Sequence, residues 1–339
     1  MASQRPRVFV TRRLPQAVES RMATLFDTRI NEADIQLSPD ELLAGLADRD
    51  ILVSSINDRL DAAFISRLPP DLKLIAQFGN GFDNIDVEAA YAAGITVTNT
   101  PSVLTEDTAD MAVMLMLALP RRLVEGAQVL PTTGSWPGWS PTWMLGRRLR
   151  GKTLGIVGMG RIGTAVATRA HALGLSIQYF SRHRRPPQIE EPLGAVYRHR
   201  LDEMLADVDI VSLHTPLTRD TLHILDAEQL ALMKRDAFVV NVSRSELIDE
   251  AALIARIEDG LLAGAALDVF GGSAGGVNPR LLALARASKV LLTAHMASAT
   301  LEARVEMGET VIVNIRAFVD GHQPPHRVLP DLTARAARG

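Results

Sequence analysis

Three glycines, Gly158, Gly160 and Gly163, stand at G-x-G-x-x-G spacing in the segment TLGIVGMGRIG. The first glycine permits a tight turn, the second lets the backbone approach a pyrophosphate, and the third lets a helix pack closely on a strand. Residues 153–157 are apolar and β-branched, which is typical of a buried strand, and TAVATRAHALG follows as a good helix former. The segment therefore predicts a dinucleotide site at a helix N-terminus.

A basic turn follows the next predicted strand, SIQYF, and begins with Ser181 and Arg182. Sites for NAD usually have, about 20 residues beyond the glycines, an acidic side chain that accepts a hydrogen bond from the ribose 2′-hydroxyl. Here no acid precedes Glu190. A guanidinium can bind a 2′-phosphate through two parallel hydrogen bonds, whereas a carboxylate would repel it. The alternative is a solvated basic turn, but its position favours NADP(H) over NAD(H).

The strands and helices that must position these residues alternate along the chain. At 339 residues, the length suggests about two domains. Strand-like and helix-like segments alternate over 1–99, without a glycine motif, and again over 146–294. This rhythm predicts an α/β protein with two Rossmann-like, doubly wound parallel-sheet domains, whose ligands bind at the carboxyl edge of the strands.

Two local signals predict where helices begin and end. Ser38, Pro39 and Glu41 form a capping box that starts a helix, and Pro120 divides or kinks the long apolar helix that begins at Thr105. All three tryptophans lie in the segment GSWPGWSPTW. They indicate either hydrophobic anchoring within the chain or a contact with a partner subunit.

Composition excludes several classes of function. The net charge of −3 gives no electrostatic reason to expect nucleic acid or a membrane surface as a partner. The absence of cysteine excludes disulfides, thiolate nucleophiles and cysteine metal sites, and we predict no metal centre. The N-terminus lacks the apolar core of a signal peptide, and the longest apolar run, MAVMLMLAL, is too short to span a bilayer. We expect a cytoplasmic protein.

Further motifs end three later strands, with Arg244 in NVSRSELIDEAAL, Asp268 in GAALDVF and His295 in LLTAHMASAT. With FGNGFDNID, TEDTAD and GMGRIG in the same order, they resemble the D-isomer-specific 2-hydroxyacid dehydrogenases, most closely the glyoxylate and hydroxypyruvate reductase branch. The resemblance covers nearly the whole chain. It implies a flavodoxin-like substrate domain formed by 1–100 and 296–339, an NAD(P)-binding Rossmann domain formed by 101–295, and a homodimer whose contacts include the tryptophan-rich segment.

The resemblance also implies a role for each matching residue. Arg244 holds the carboxylate and keto oxygen of a small 2-oxo acid, and backbone N–H groups of Asn80 and Gly81 bind the same carboxylate. His295 protonates the carbonyl oxygen as hydride arrives, a task for a group that titrates near neutrality. Taken singly, Arg244 could be a surface ion-pair partner, His295 a hydrogen-bonded core histidine and Asp268 a helix or turn cap. The implied cofactor contacts are Gly158, Gly160, Arg161, Ile162, Gly163, Ser181, Arg182, Thr215, Pro216, Val242, Asp268, which lies near the nicotinamide amide, His295 and Ala297.

One position departs from the family pattern. After Asp-Val-Phe the family reads acid-x-Glu-Pro, and that Glu orients the catalytic histidine and favours its protonated form. This chain has Ser273 at the Glu position, and Ser245 and Ala294 replace the usual neighbouring Gly and Pro. A serine can donate or accept a hydrogen bond but carries no charge. We therefore expect weakened general-acid catalysis, with reduction favoured at lower pH.

These observations predict an NADPH-preferring reductase that converts small 2-oxo acids to D-2-hydroxy acids. The alternative is a catalytically degraded paralogue that binds NAD(P) and acts as a sensor or interaction protein. Ser273 favours the paralogue, whereas retention of Arg244 and His295 favours the enzyme. The formate dehydrogenase branch also lacks the Glu, but it has Gln there, and the rest of this chain is more similar to the reductases.

Overall fold

The computed structural model describes residues 5–271 and 276–330. The chain divides into two compact units. The first, here called the terminal unit, comprises Met1–Leu104 and Ala299–Gly339, and the second, the central unit, comprises Thr105–Ser298.

The terminal unit is built on a six-stranded sheet with the order β13-β5-β4-β3-β1-β2. Its strands are β1 (Arg7–Val10), β2 (Asp27–Ile30), β3 (Ile51–Ser55), β4 (Leu74–Phe78), β5 (Thr96–Thr98) and β13 (Arg327–Val328). Its helices are α1 (Gln16–Leu25), α2 (Pro39–Gly45), α3 (Ala62–Ile65), α4 (Val87–Ala92) and α13 (Leu301–Val319). All pairs are parallel except β13 with β5, and the order of the first five strands is flavodoxin-like.

The central unit is built on a seven-stranded, fully parallel sheet with the order β12-β11-β10-β9-β6-β7-β8. Its strands are β6 (Thr153–Val157), β7 (Ser176–Phe180), β8 (Val196–Tyr197), β9 (Ile210–Leu213), β10 (Phe238–Asn241), β11 (Gly264–Leu267) and β12 (Val290–Leu292). Its helices are α5 (Thr105–Ala118), α6 (Leu123–Thr133), α7 (Arg161–Ala172), α8 (Pro187–Glu190), α9 (Leu201–Asp207), α10 (Ala227–Leu232), α11 (Glu250–Glu258) and α12 (Pro279–Arg286). The strand order reverses between β6 and β9, which is the switch point of a Rossmann sheet.

Each sheet is covered on both faces by apolar side chains. In β6, Leu154 and Ile156 belong to one core cluster, whereas Val157 belongs to the cluster on the opposite face. Successive side chains of a strand point to opposite faces, so a strand buried on both sides must be apolar throughout. The two predicted doubly wound parallel-sheet domains are thus confirmed.

The local helix signals are also confirmed. The Ser38 side chain accepts a hydrogen bond from the backbone N–H of Glu41, whose carboxylate accepts one from the N–H of Ser38 at 2.8 Å. Pro120 lies between α5 and α6, where the helix is interrupted. Within the described ranges, none of the helices has the length and apolar character needed to cross a membrane.

Candidate functional site

The glycine turn lies between β6 and α7, at the carboxyl edge of the central sheet. Gly158 has a φ of +96°, which L side chains rarely adopt, and its N–H donates to the carbonyl oxygen of Phe180 at 2.8 Å. A Cβ on Gly158 would lie 2.8 Å from the carbonyl group of His214. A Cβ on Gly163 would lie 2.2 Å from the Gly158 carbonyl oxygen. Both positions therefore need glycine because strand, turn and helix approach one another closely.

Gly160 differs from the other two glycines because it faces open space. It is the N-cap residue of α7 and has no side chain that could cap the helix. Apart from its chain neighbours and the helix backbone, no described atom lies within 4 Å of a Cβ built there. The helix therefore begins with N–H groups directed outward, next to a backbone that a ligand can approach. Arg161 is exposed and Ile162 packs against the core. These residues fit the pyrophosphate of a dinucleotide.

The turn after β7 contains the predicted ribose-side residues. The hydroxyl of Ser181 donates to the carbonyl oxygen of His183 at 3.1 Å, and the side chain of Arg182 is exposed. Arg184 is committed elsewhere, because its guanidinium donates to Glu190 at 2.8 Å. The first acid in this region is therefore neutralised by an arginine of the same turn.

Thr215 and Pro216 follow β9, next to the glycine turn. The carbonyl oxygen of Thr215 accepts a hydrogen bond from the Ser243 hydroxyl at 2.7 Å, which joins this strand end to the next. Nε2 of the preceding residue, His214, is hydrogen-bonded to the Ser212 hydroxyl at 2.8 Å. Its other ring nitrogen, Nδ1, is buried and has no hydrogen-bond partner among the described residues. Burial lowers the pKa of His214 to about 3, so its ring is neutral.

Arg244 follows β10, and Asn241 positions it. The buried Asn241 side chain donates to the carbonyl oxygen of Arg244 at 2.7 Å and accepts from the N–H of Ser243 at 3.0 Å. Arg244 Nη1 donates to the Ser243 carbonyl oxygen at 2.9 Å. Val242 is buried against the core. Sequence reasoning missed Asn241, although an asparagine that ends an otherwise apolar strand is a usable signal.

Asp268 follows β11 and holds the turn that carries His295. Its buried carboxylate accepts hydrogen bonds from the Thr293 hydroxyl at 2.6 Å and from the N–H groups of Met296 and Ala297, both at 2.9 Å. The N–H of His295 donates to the Asp268 carbonyl oxygen at 2.9 Å, and His295 has a φ of +51°. Asp268 therefore fixes the backbone of the His295 turn, which is the turn-capping alternative that its sequence position left open.

Ser273 lies outside the described residues. Gly271 and Asn278 both donate to the Glu250 carboxylate, at 2.7 and 3.3 Å, so this side chain links these two described residues. Ser245, one of the neighbouring departures from the family pattern, donates its hydroxyl to Glu246 at 2.9 Å. Among the residues that the structure describes, no group of His, Asp and Glu side chains could hold a metal ion.

In the terminal unit, Asn80 and Gly81 lie just beyond β4 in a loop held by its carbonyl groups. Asn99 donates to the carbonyl oxygen of Asn80 at 2.8 Å, and the buried Gln77 donates to that of Gly81 at 3.2 Å. Within residues 5–271 and 276–330, neither backbone N–H of Asn80 and Gly81 has an acceptor. Two N–H groups without acceptors can bind an anion such as a carboxylate.

The predicted cofactor residues thus come together within the central unit. Consecutive strand ends carry Gly158 after β6, Ser181 after β7 and Thr215 after β9 on one side of the sheet. Arg244, Asp268 and His295 follow β10, β11 and β12 on the other side. Because all seven strands are parallel, all six strand ends lie at one edge.

Known proteins with the same organisation are identified by sequence and by structure. Residues 113–297 match the family model described as D-isomer specific 2-hydroxyacid dehydrogenase, NAD binding domain. The chain is 41% identical over 332 residues to a glyoxylate reductase of Thermococcus litoralis, covering 97% of this chain and 98% of the relative. A protein structure from Thermus thermophilus has a TM-score of 0.87 and 40% identity, covering 95% of this chain and all of that one.

A further solved structure carries more information about ligands. It is an NADPH-dependent glyoxylate/hydroxypyruvate reductase from Sinorhizobium meliloti in complex with NADP and malonate. Its TM-score is 0.82 and its identity 34%, covering 96% of this chain and 97% of that chain. The chain therefore belongs to the D-isomer-specific 2-hydroxyacid dehydrogenase family, as an NAD(P)-dependent enzyme with a Rossmann cofactor domain.

Proposed function

We propose that this enzyme reduces small 2-oxo acids such as glyoxylate and hydroxypyruvate to D-2-hydroxy acids and prefers NADPH to NADH. The observation that carries the proposal is the placement of Arg244 and His295 after β10 and β12, at the sheet edge that also carries the glycine turn. A permanent cation for the carboxylate and a titratable ring for the proton are the groups that this reduction needs. The glyoxylate reductases among the relatives support this substrate class.

In the proposed mechanism, Arg244 holds the substrate carboxylate and keto oxygen. His295 donates a ring proton to the keto oxygen, which becomes a hydroxyl, and the imidazole then recovers its proton from solvent. Bound nicotinamide supplies the hydride for the substrate carbon. Asp268 keeps the His295 turn in place, and we assign the N–H groups of Asn80 and Gly81 to the substrate carboxylate. The terminal unit is accordingly the proposed substrate domain and the central unit the proposed cofactor domain.

Each part of the cofactor is assigned to the turn after a particular strand of the central sheet. The glycine turn and the first turn of α7 would hold the pyrophosphate, and the turn after β7 would hold the adenosine ribose with its 2′-phosphate. The remaining strand ends would line the nicotinamide side. The proposed contacts are Gly158, Gly160, Arg161, Ile162, Gly163, Ser181, Arg182, Thr215, Pro216, Val242, Asp268, His295 and Ala297. The NADPH dependence of the Sinorhizobium relative supports the preference for NADP(H).

We also propose that Ser273 weakens the acid catalyst without abolishing it. A serine cannot stabilise the imidazolium by charge, so reduction should be faster at lower pH. The second candidate, a degraded paralogue that only binds nucleotide, rests on the same substitution. Location in the cytoplasm stays a prediction from the sequence.

A second copy of this chain is the proposed partner. Helix α6 has no buried residue, and its Leu123 and Leu130 are 59% and 54% exposed. The tryptophan-rich segment follows α6 in the chain and also exposes apolar side chains, with Trp139 83% exposed. Monomeric proteins rarely expose contiguous apolar surface of this kind. A homodimer that covers α6 and the tryptophan-rich segment accounts for it.

The test is oxidation of NADPH and NADH, followed by absorbance, with glyoxylate, hydroxypyruvate and a bulkier 2-oxo acid. We expect turnover of the two small acids and a kcat/KM at least about 10-fold higher with NADPH, the value of one charge-assisted hydrogen bond. The Arg244→Gln enzyme controls for contaminating reductases. Nucleotide binding without turnover of any acid would establish the paralogue instead.

A further inference from the structure

The turn after β7, residues 181–187, is held by hydrogen bonds from tyrosine side chains of β7 and β8. The hydroxyl of Tyr197 donates to the carbonyl oxygen of Ser181 at 3.2 Å. The backbone N–H of Arg185 donates to the hydroxyl of Tyr179 at 2.7 Å. Tyr179 is fully buried, and its ring packs against that of Tyr197 at a centroid distance of 5.3 Å. The backbone of the basic turn is therefore fixed at two points.

Glu190 links this tyrosine to an arginine of the same turn. Its side chain is only 8% exposed and accepts hydrogen bonds from the Tyr179 hydroxyl and from Arg184 Nε and Nη2, at 3.0 and 2.8 Å. Arg184 and Tyr179 together lower the pKa of Glu190, and burial raises the pKa of Tyr179 to about 12. Tyr179 thus stays protonated, donating to Glu190 while accepting from Arg185, and the guanidinium of Arg184 is occupied.

Arg185 has a different environment from Arg184. It lines a cavity of about 490 Å³ together with Gly160 and Arg161 at the start of α7. A third arginine of this cavity, Arg169, is neutralised by Glu106 at 2.7 Å and by Asp110 at 2.6 Å. Among the described residues, neither Arg161 nor Arg185 has a carboxylate partner, and the buried Nε of Arg185 has no acceptor. With Glu106 and Asp110 counted, the three arginines beside the open glycine keep a net positive charge, and among the described residues Arg161 and Arg185 are the two of them without a carboxylate partner.

We propose that Arg185, together with Arg182, binds the 2′-phosphate of NADPH, and that Tyr179, Glu190 and Arg184 are positioning residues that hold Arg185 in place. The inference rests on the NADPH preference proposed above. An unsatisfied, partly buried guanidinium gains the most from a phosphate, because its desolvation cost is already met. Arg184 cannot serve equally well, because binding a phosphate would break its pair with the buried Glu190.

The first test measures the binding of 2′,5′-ADP and 5′-AMP to the full-length enzyme by calorimetry. The two probes differ only in the 2′-phosphate. We expect Arg185→Met to weaken 2′,5′-ADP binding by about 10-fold or more while 5′-AMP binding changes less than about 2-fold. The control is Arg198→Met, which removes an arginine that does not line this cavity and that pairs with Asp207 at 2.7 Å. It should leave both affinities unchanged.

The outcomes separate the two proposals. If the wild-type enzyme binds 2′,5′-ADP no better than 5′-AMP, the proposed NADPH preference fails and this inference with it. If the wild type prefers 2′,5′-ADP to 5′-AMP and Arg185→Met shows the same preference, only the inference about Arg185 is overturned.

The second test addresses the positioning residues through Tyr179→Phe, which removes one hydroxyl from a buried ring. We expect the KM for NADPH to rise about 5-fold, the equivalent of one hydrogen bond, with kcat and the KM for NADH unchanged. Arg184→Lys, which keeps a donor for Glu190, should retain more NADPH affinity than Arg184→Met. A uniform loss with both cofactors, or a lower kcat, would reveal a merely structural role and overturn the positioning assignment.

Discussion

His214 shows how a half-buried histidine with a fully buried Nδ1 can couple stability to pH at the sheet edge. Its pKa of about 3 lies well below the ordinary value near 6.5, so the unfolded chain binds this proton first as the pH falls. The stabilisation from a neutral His214 is therefore complete above pH 6.5 and declines below it. The cause is burial of the ring nitrogens, since Nδ1 has no partner among the described residues.

The prediction for His214 uses His214→Gln, which cannot titrate. Between pH 7.5 and 5.5, the wild type should lose up to about 1.4 kcal/mol of unfolding free energy relative to the variant. Urea unfolding of both proteins at the two pH values measures this difference, and groups common to both proteins cancel. A difference that is the same at both pH values would show that the folded protein protonates His214 as readily as the unfolded chain.

Ser273 is the residue at which the proposed chemistry departs most from the family pattern. Restoring a carboxylate by Ser273→Glu should stabilise the imidazolium form of the proposed acid. We expect kcat for glyoxylate reduction at pH 8 to rise about 10-fold or more, within the range typical of acid catalysis. The measurement is the pH–rate profile of both enzymes, with Ala274→Glu as the control for added charge. Profiles that coincide from pH 6 to 9 would exclude this role for position 273.

At the scale of elements, β6, the glycine turn and α7 form one strand-turn-helix motif. Two of its glycines are needed for different reasons. Gly163 is required by packing, because a Cβ there would lie 2.2 Å from the backbone oxygen of Gly158. Gly160 is not required by packing, because a Cβ there meets no described atom within 4 Å. The open side of Gly160 is the side from which we propose that the pyrophosphate approaches α7.

Alanine at these two positions should therefore give different results. Gly163→Ala should destabilise the protein by about 1–3 kcal/mol, as overpacking does, and lower nucleotide affinity through displacement of α7. Gly160→Ala should melt at the wild-type temperature but bind NADPH at least about 10-fold more weakly, because its methyl group occupies the ligand's space. Thermal melting and nucleotide titration distinguish the two effects. Wild-type affinity in Gly160→Ala would contradict the placement of the pyrophosphate.

At the scale of the whole molecule, the exposed apolar surface of α6 predicts the oligomeric state. Leu123 and Leu130 lie seven residues apart, on one face of the helix. The double variant Leu123→Glu/Leu130→Glu should sediment as a monomer, whereas the wild type should sediment as a dimer, because charges at an apolar interface are costly to bury. Leu232→Glu, at another exposed leucine on α10, is the control and should stay dimeric. A wild-type monomer at micromolar concentration would refute the dimer.

The sequence by itself determined the features that depend on neighbouring residues. The glycine spacing, the apolar strand before it and the helix after it specify a strand-turn-helix unit, because φ freedom and close approach are local requirements. The alternation of strands and helices likewise specified two parallel sheets, since parallel strands need crossover helices. The capping box at Ser38 and the interruption at Pro120 were readable for the same local reason.

Only the tertiary structure decided which polar groups are already satisfied. Nothing in the sequence RHRR distinguishes Arg184 from Arg185. In the structure, however, Glu190 pairs with Arg184, whereas Arg185 lines the cavity. Asp268 holds residues 25 to 29 positions later in the chain. The physical reason is that a hydrogen bond forms only at short distance and near-linear angle, and that an ion pair weakens as its two charges separate. Their partners are therefore set by how strand ends meet in the folded sheet.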